Sequence, residues 1–256
     1  MIIYKTEEEI ELMRASAKVL AQAHGEVAKI IREGVTTRQL DQRAEEFIRD
    51  NGGIPSFKGY NDFPFSLCIS PNSVVVHGFP SDYTLKDGDI ISVDGGVFLN
   101  GYHSDSAYTY PVGNVTPEIL ALLQRTKESL YLGIEQAVAG NRMGDISYAV
   151  QQHVEKQGYG VVRELVGHGV GKKLHERPEV PNYGKRGSGL KLQTGLVIAI
   201  EPMVNLGTKQ IVQERDGWTI RTKDKMPSAH FEHTVVVRKD KAEVLTSFEY
   251  IEKALQ

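Results

Sequence analysis

Asp94 and Asp105 stand on either side of a turn signal in the stretch SVDGGVFLNGYHSDSA, residues 92–107. Asn100-Gly101 favours a two-residue hairpin, because both turn positions take φ > 0. Val93, Val97 and Phe98 favour strand on the way in. With that turn, Leu99 pairs with Tyr102 and Asp94 pairs with Ala107. Asp105 then lies diagonal to Asp94 on one face, about 7 Å away. Two carboxylates that close repel unless a cation sits between them.

Three further residues have suitable types. His168 lies between Gly167 and Gly169, which leave its ring room to coordinate. Glu201 ends the apolar run Leu196–Ile200, where a buried carboxylate is costly without a partner. Glu232 sits between Phe231 and His233, just before a strand core. Singly, each has an ordinary reading: a hydrogen-bonded loop histidine, a strand-end glutamate in water, a solvent-facing strand position. Together, four carboxylates and one imidazole suit two divalent ions, with hard oxygen ligands dominating. Two metals about 3.5–4 Å apart lower the pKa of bound water and polarise a carbonyl. Hydrolysis is the chemistry that such a set makes easy; the substrate does not follow from it.

Elements must bring these residues together. Thr6 with Glu9 forms a capping box before an acidic first turn, so a helix is predicted from Thr6 to about Arg32. A second follows from about Arg38 to Asp50, stopped by Asn51-Gly52-Gly53. A third has Thr116 as cap and Pro117 at its first position and runs to near Gly140. A fourth, capped by Asp145, stops at Gly158. Gly34–Gly52 and Gly140–Gly158 are equally long, at an offset of 106 residues. At that offset Leu40 maps to Ile146, Ala44 to Val150 and Ile48 to Val154, and Asp94 falls within one residue of Glu201. The pattern predicts an internal duplication, with halves of roughly 1–110 and 111–256 in one catalytic domain and a site between them. The segments IISVDGGVF, GYHSDSAYTYPV, GVVREL, GLVIAIEPMV and HFEHTVVVR read as strands. The expected class is α+β: a curved, largely antiparallel sheet with helices outside.

Bulk properties set the remaining bounds. The chain has 256 residues, 40% hydrophobic and 25% charged, ordinary for a soluble globular protein. A net charge of −3 with scattered Lys and Arg gives no basic groove for nucleic acid. Cys68 is the only cysteine, so no intramolecular disulfide forms. The start, MIIYKTEEEIELM, turns acidic too soon for a secretion signal, and no apolar run reaches membrane-spanning length. A cytoplasmic protein with no membrane contact is expected.

The segments VDGGVFLNGYHSDSA, GHGVGKKLHE, AIEPMV, DGWTIRTKDKMPSAHFEHTVVV and CISPNSVVVHGFP together resemble the type I methionine aminopeptidases, of the pita-bread fold. The resemblance spans nearly the whole chain. It implies removal of the initiator methionine from nascent polypeptides whose second residue is small. One metal would be held by Asp94, Asp105 and Glu232, the other by Asp105, His168, Glu201 and Glu232, with Asp105 and Glu232 shared. Glu201 would also move the proton of the attacking water. His175 would donate to the peptide carbonyl, and His77 would contact the scissile amide nitrogen; on sequence alone either is equally a surface loop residue. Tyr60, Phe63, Cys68 and Trp218 would line the methionine pocket, with His77 at its edge, although such aromatics are also ordinary core. Phe57 and Leu174 stand where some relatives carry cysteine and phenylalanine, and both keep the lining apolar. Asn72, Val74 and Ser228 would supply a monovalent-cation site. The implied divalent metals are cobalt, manganese, iron(II) or zinc. The implied partners are nascent chains and, transiently, the ribosome, and a monomer is expected. Two rival readings share the fold: an Xaa-Pro aminopeptidase or prolidase, and a non-catalytic protein-binding module. The first generally carries a sizeable N-terminal domain; the second has lost the ligands that are all present here.

Overall fold

The Asn100-Gly101 turn closes with φ of 54° and 85°, the left-handed values that the pair tolerates. It joins two ten-residue strands with Leu99 opposite Tyr102 and Asp94 opposite Ala107, the register expected. The computed structural model describes residues 1–256. The first half comprises α1 (Glu7–Ala28), α2 (Thr37–Asp50), β1 (Ile54–Pro55), β2 (Leu67–Pro71), β3 (Val74–Val76), β4 (Ile90–Leu99) and β5 (Tyr102–Pro111). Then follow α3 (Pro117–Glu135), α4 (Met143–Glu155), β6 (Gly160–Val161), β7 (Gly167–Gly169), β8 (Glu176–Val180), β9 (Val197–Ile200) and β10 (Met203–Asn205). The chain closes with β11 (Ile211–Gln213), β12 (Ile220–Thr222), β13 (Ser228–His230), β14 (Glu232–Val236), β15 (Glu243–Val244) and α5 (Glu249–Ala254).

Nine strands form one antiparallel sheet in the order β1-β4-β5-β14-β9-β7-β8, with β2 on β4 and β15 on β14. Two three-stranded sheets, β13-β10-β6 and β11-β12-β3, complete the α+β pita-bread architecture. One continuous apolar cluster takes Val27, Leu40, Leu122, Ile146 and Ile251 from the five helices and packs them with Ile91, Ile198 and Val235 of the sheet. Leu40, Ala44 and Ile48 of α2 and Ile146, Val150 and Val154 of α4, the positions paired in the expected duplication, are all buried. No helix is long and apolar enough to cross a membrane.

Helix starts follow their caps. Thr6 accepts from the Glu9 N–H at 3.3 Å while the Glu9 carboxylate accepts from the Thr6 N–H at 3.0 Å. Helix ends differ from expectation because the chain leaves each helix to bond elsewhere. The helix α1 stops at Ala28 rather than near Arg32, and Gly34 then donates to the Leu85 carbonyl at 2.9 Å. Likewise α3 stops at Glu135 rather than near Gly140, where Ala139 donates to Arg238 and Gly140 to Leu192. Asp145 is not the cap of α4 but its third residue, and its carboxylate accepts from the Arg142 N–H at 2.8 Å. The expected strand GVVREL shortens to Gly160–Val161. The runs ending in Glu201 and beginning before Glu232 are each divided in two, β9 from β10 at Glu201-Pro202 and β13 from β14 at Phe231.

His24 on α1 is 3% exposed and shares a 3.0 Å hydrogen bond between Nε2 and the Ser106 carbonyl, which can only accept. Burial lowers its pKa from 6.5 to about 4. Between pH 6.5 and about 4 the unfolded chain binds this proton and the folded chain does not, so stability is lost as pH falls through that range. The His24→Gln variant should show a shallower decline of urea-unfolding free energy between those limits, by up to about 1.4 kcal/mol per pH unit. Parallel pH profiles for the two proteins would show that His24 does not titrate this way.

Candidate active site

The register of five neighbouring strands sets the site. Asp94 on β4 faces Ala107 on β5, and Ala107 faces Glu232 on β14. Directly opposed residues share a sheet face, so both carboxylates project on one side, with only the Ala107 methyl between them. Asp105, two residues before Ala107, shares that face. His233 pairs with Ile200, which sets Glu201, one residue beyond β9, level with Glu232. Pro202 ends β9 there, because proline cannot donate to the ladder. His168 comes from β7, whose Gly169 pairs with Ile198. Gly167 and Gly169 are required by close approach: a Cβ on either would lie 2.3 Å from the Ala199 carbonyl oxygen or 2.4 Å from that of Arg177.

The side chains converge. His168 Nε2 lies 3.7 Å from Asp105 Oδ2 and 3.6 Å from Glu201 Oε1. One donor atom each from Asp105, His168 and Glu232 fall within 4.8 Å of one another, and all three residues are buried. Asp94 Oδ1, Asp105 Oδ1 and Glu232 Oε1 are buried with no hydrogen-bond partner. Burial pushes the Asp94 carboxyl up to about 8. Burial, then repulsion from Asp94 and Glu201, holds Asp105 well above the carboxylate range. Burial and neighbouring carboxylates act alike on Glu201 and Glu232. Burial lowers His168 to about 3, so its ring is neutral. Its Nδ1 sits 2.9 Å from the Gly169 carbonyl, an obligate acceptor, so the proton is on Nδ1. Nε2 therefore turns a bare lone pair toward two carboxylates. Orphaned carboxylate oxygens and an unprotonated imidazole nitrogen aimed at one point fit divalent metal bound by hard donors.

An apolar pocket adjoins this cluster, because Cys68 on β2 pairs with Asp94. The cavity, about 320 Å³, is lined by Phe57, Tyr60, Phe63, Cys68, Leu174 and Trp218 as well as by Asp94, Asp105, His168, Glu201 and Glu232. Phe63 meets Trp218 edge-on, centroids 5.1 Å apart. Desolvation, then the charges of Asp94 and Asp105, raises the Cys68 thiol pKa, so it behaves as a small apolar wall. His77 also lines the cavity, in a left-handed backbone conformation (φ 59°) that aims it at Trp218, ring centroids 6.1 Å apart. His175 stands by His168, centroids 4.1 Å apart, and its Nδ1 lies 2.9 Å from the Tyr60 hydroxyl. With that hydroxyl donating, the His175 proton resides on Nε2.

Two residues of this site were not singled out in the sequence. Asn61 lines the cavity beside Tyr60; its left-handed conformation (φ 48°) is one that asparagine tolerates. His230 Nε2 lies 3.8 Å from Glu201 Oε2, and neither ring nitrogen has a hydrogen-bond partner. Its two-residue spacing from Glu232 in AHFEH was the available signal. Away from the cavity, the Asn72 carbonyl accepts from the Ser228 N–H at 2.9 Å, while Val74 pairs with Arg221. The three residues expected to form a monovalent-cation site thus lie on adjoining strands and turns.

Residues 11–239 match the model of metallopeptidase family M24. The chain is 52% identical over 246 residues to a methionine aminopeptidase of Clostridium perfringens, covering 96% of this chain and 99% of that one. The crystal structure of methionine aminopeptidase from Thermotoga maritima superposes with a TM-score of 0.95 at 42% identity, covering 96% of this chain and 100% of that one. The prolidase from Pyrococcus furiosus superposes with a TM-score of 0.80 at 26% identity, but this chain spans only 66% of it. On the extent of these matches, the chain belongs to metallopeptidase family M24.

Proposed function

We propose that the chain is a methionine aminopeptidase that removes the initiator methionine from nascent polypeptides whose second residue is small. The observation that carries this is a short apolar pocket opening directly onto the carboxylate cluster. A linear side chain fits between Phe57, Phe63, Leu174 and Trp218 while its α-carbon stays at the charged groups. Asp94, Asp105 and Glu232 would hold one divalent ion, and Asp105, His168, Glu201 and Glu232 the other, drawn from cobalt, manganese, iron(II) or zinc. When bound, such metals supply Lewis acidity and lower the pKa of water at the site.

The chain's own groups do the rest. Glu201, with His230 behind it, accepts a proton from the attacking water and passes it to the leaving amine. His175 donates from Nε2 to the carbonyl oxygen as it becomes tetrahedral. His77, fixed against Trp218, holds the scissile amide nitrogen. The apolar pocket excludes water from the methionine side chain, whose flexible thioether adapts to a mixed aromatic lining. A monovalent cation at the backbone of Asn72, Val74 and Ser228, action as a monomer in the cytoplasm, and transient ribosome contact belong to the same reading, since nascent chains emerge at the ribosome.

Metal-reconstituted protein should release methionine from Met-Ala-Ser and leave Ala-Pro intact. The reverse would establish a prolidase-like enzyme, and inertness toward both with full metal content would overturn the proposal. Second-residue selectivity follows from close packing. A branched second residue must displace the cluster wall at about 1–3 kcal/mol, roughly fivefold to over a hundredfold in rate. Met-Ile-Ser should therefore be cleaved at least about fivefold more slowly than Met-Ala-Ser. Equal rates on the two peptides would refute this view of the pocket.

A further inference from the structure

A second cavity, about 720 Å³, meets the first at His168 and His175 and at no other lining residue. One wall is the start of the chain, Met1 and Ile2; the other is β8 with the segment before β7. The strand β8 is an edge of the nine-stranded sheet, so its outer backbone groups, apart from Pro178, which has no N–H, face no further strand and can meet an extended peptide. A substrate whose methionine fills the apolar pocket has its scissile bond at the carboxylates. Its remaining chain has to leave past the residues that both cavities share.

The charges of this groove sort into used and unused. Lys5 and Glu176 form a 2.6 Å ion pair with side chains only 2% and 5% exposed, which ties the N-terminal wall to β8 and neutralises Glu176. Arg177 and Glu179, both exposed, make no ion pair or side-chain hydrogen bond and border the cavity. Glu179 pairs with His168 in the β7–β8 register, so its side chain shares the face of the histidine common to both cavities. We propose that this groove is the binding site for the third and later residues of the substrate polypeptide, held in extended form along β8, with Arg177 and Glu179 reading their charge. This rests on the aminopeptidase reading.

The test compares Met-Ala-Ser-Lys-Lys with Met-Ala-Ser-Glu-Glu as substrates of metal-reconstituted wild type, Glu179→Arg and Arg177→Glu. The readout is the ratio of kcat/KM for the two peptides within each protein, which cancels any loss of folded enzyme. Glu179→Arg should shift the ratio toward the acidic peptide and Arg177→Glu toward the basic one. Each shift should be about threefold, the scale of an exposed ion pair, and should shrink as salt is raised. An unchanged ratio in both variants would overturn the groove proposal while leaving the aminopeptidase reading intact. Failure of wild type to release methionine from either peptide, or from Met-Ala-Ser, would overturn the aminopeptidase reading itself.

Discussion

Replacing Asp105 or Glu232 with alanine is expected to remove both metals and nearly all methionine release. Each carboxylate would serve two ions, so one substitution breaks two coordination spheres. Loss of Lewis-acid stabilisation worth several kcal/mol is on the order of 10³-fold in rate. The fold should survive the change at Asp105, because that backbone is held independently of the carboxylate. The Asp105 N–H donates to Thr234 Oγ1 at 3.1 Å, and Thr234 Oγ1 donates to the Asp105 carbonyl at 2.8 Å. Glu232 is secured similarly by Ser106, whose hydroxyl donates to the Glu232 carbonyl at 3.0 Å. Metal analysis of the purified variants decides the matter, with circular dichroism to show that the chain is folded. Two metals per chain and near-normal turnover in either variant would sink the shared-ligand assignment.

His175→Ala should keep its metal and lose kcat by roughly 10²-fold, the usual effect of removing one donor to a developing oxyanion. His175 lies beyond the carboxylate cluster, and its Nδ1 is engaged by Tyr60 at 2.9 Å, so it is placed to donate from Nε2 rather than to ligate. Desolvation at the cavity wall lowers its pKa, which favours the neutral ring with one proton to offer. KM for Met-Ala-Ser should change far less than kcat, since the donor strengthens its bond as the carbonyl becomes tetrahedral. A variant that lost metal, with normal turnover of whatever remained loaded, would move His175 into the coordination shell.

Much of this was legible in the chain. The Asn100-Gly101 turn fixed the β4–β5 register through local backbone preference, and with a period of two it set Asp94 and Asp105 on one face. Capping residues such as Thr6 and Thr116 placed helix starts, because a cap is a local hydrogen bond between residues close in sequence. Helix ends were less legible: α1 and α3 stop where Gly34, Ala139 and Gly140 find distant carbonyls, and no local pattern encodes those partners. The segments around Glu201 and Glu232 read as continuous strands, yet both break beside the site.

The sequence by itself determined the donor types, their order and the hairpin that pairs two of them, since these depend on side-chain chemistry and near neighbours. It also determined the apolar character of Phe57, Phe63, Cys68, Leu174 and Trp218, but not whether they formed core or pocket. The tertiary structure decided that Cys68 pairs with Asp94, that Ala107 separates Asp94 from Glu232, and that His168 and Glu201 close the row. It also decided that His230 stands behind Glu201 and that Arg177 and Glu179 border a groove continuing from the site. Those outcomes depend on pairing strands far apart in sequence, where register is set by burying one face of every strand at once rather than by any local preference.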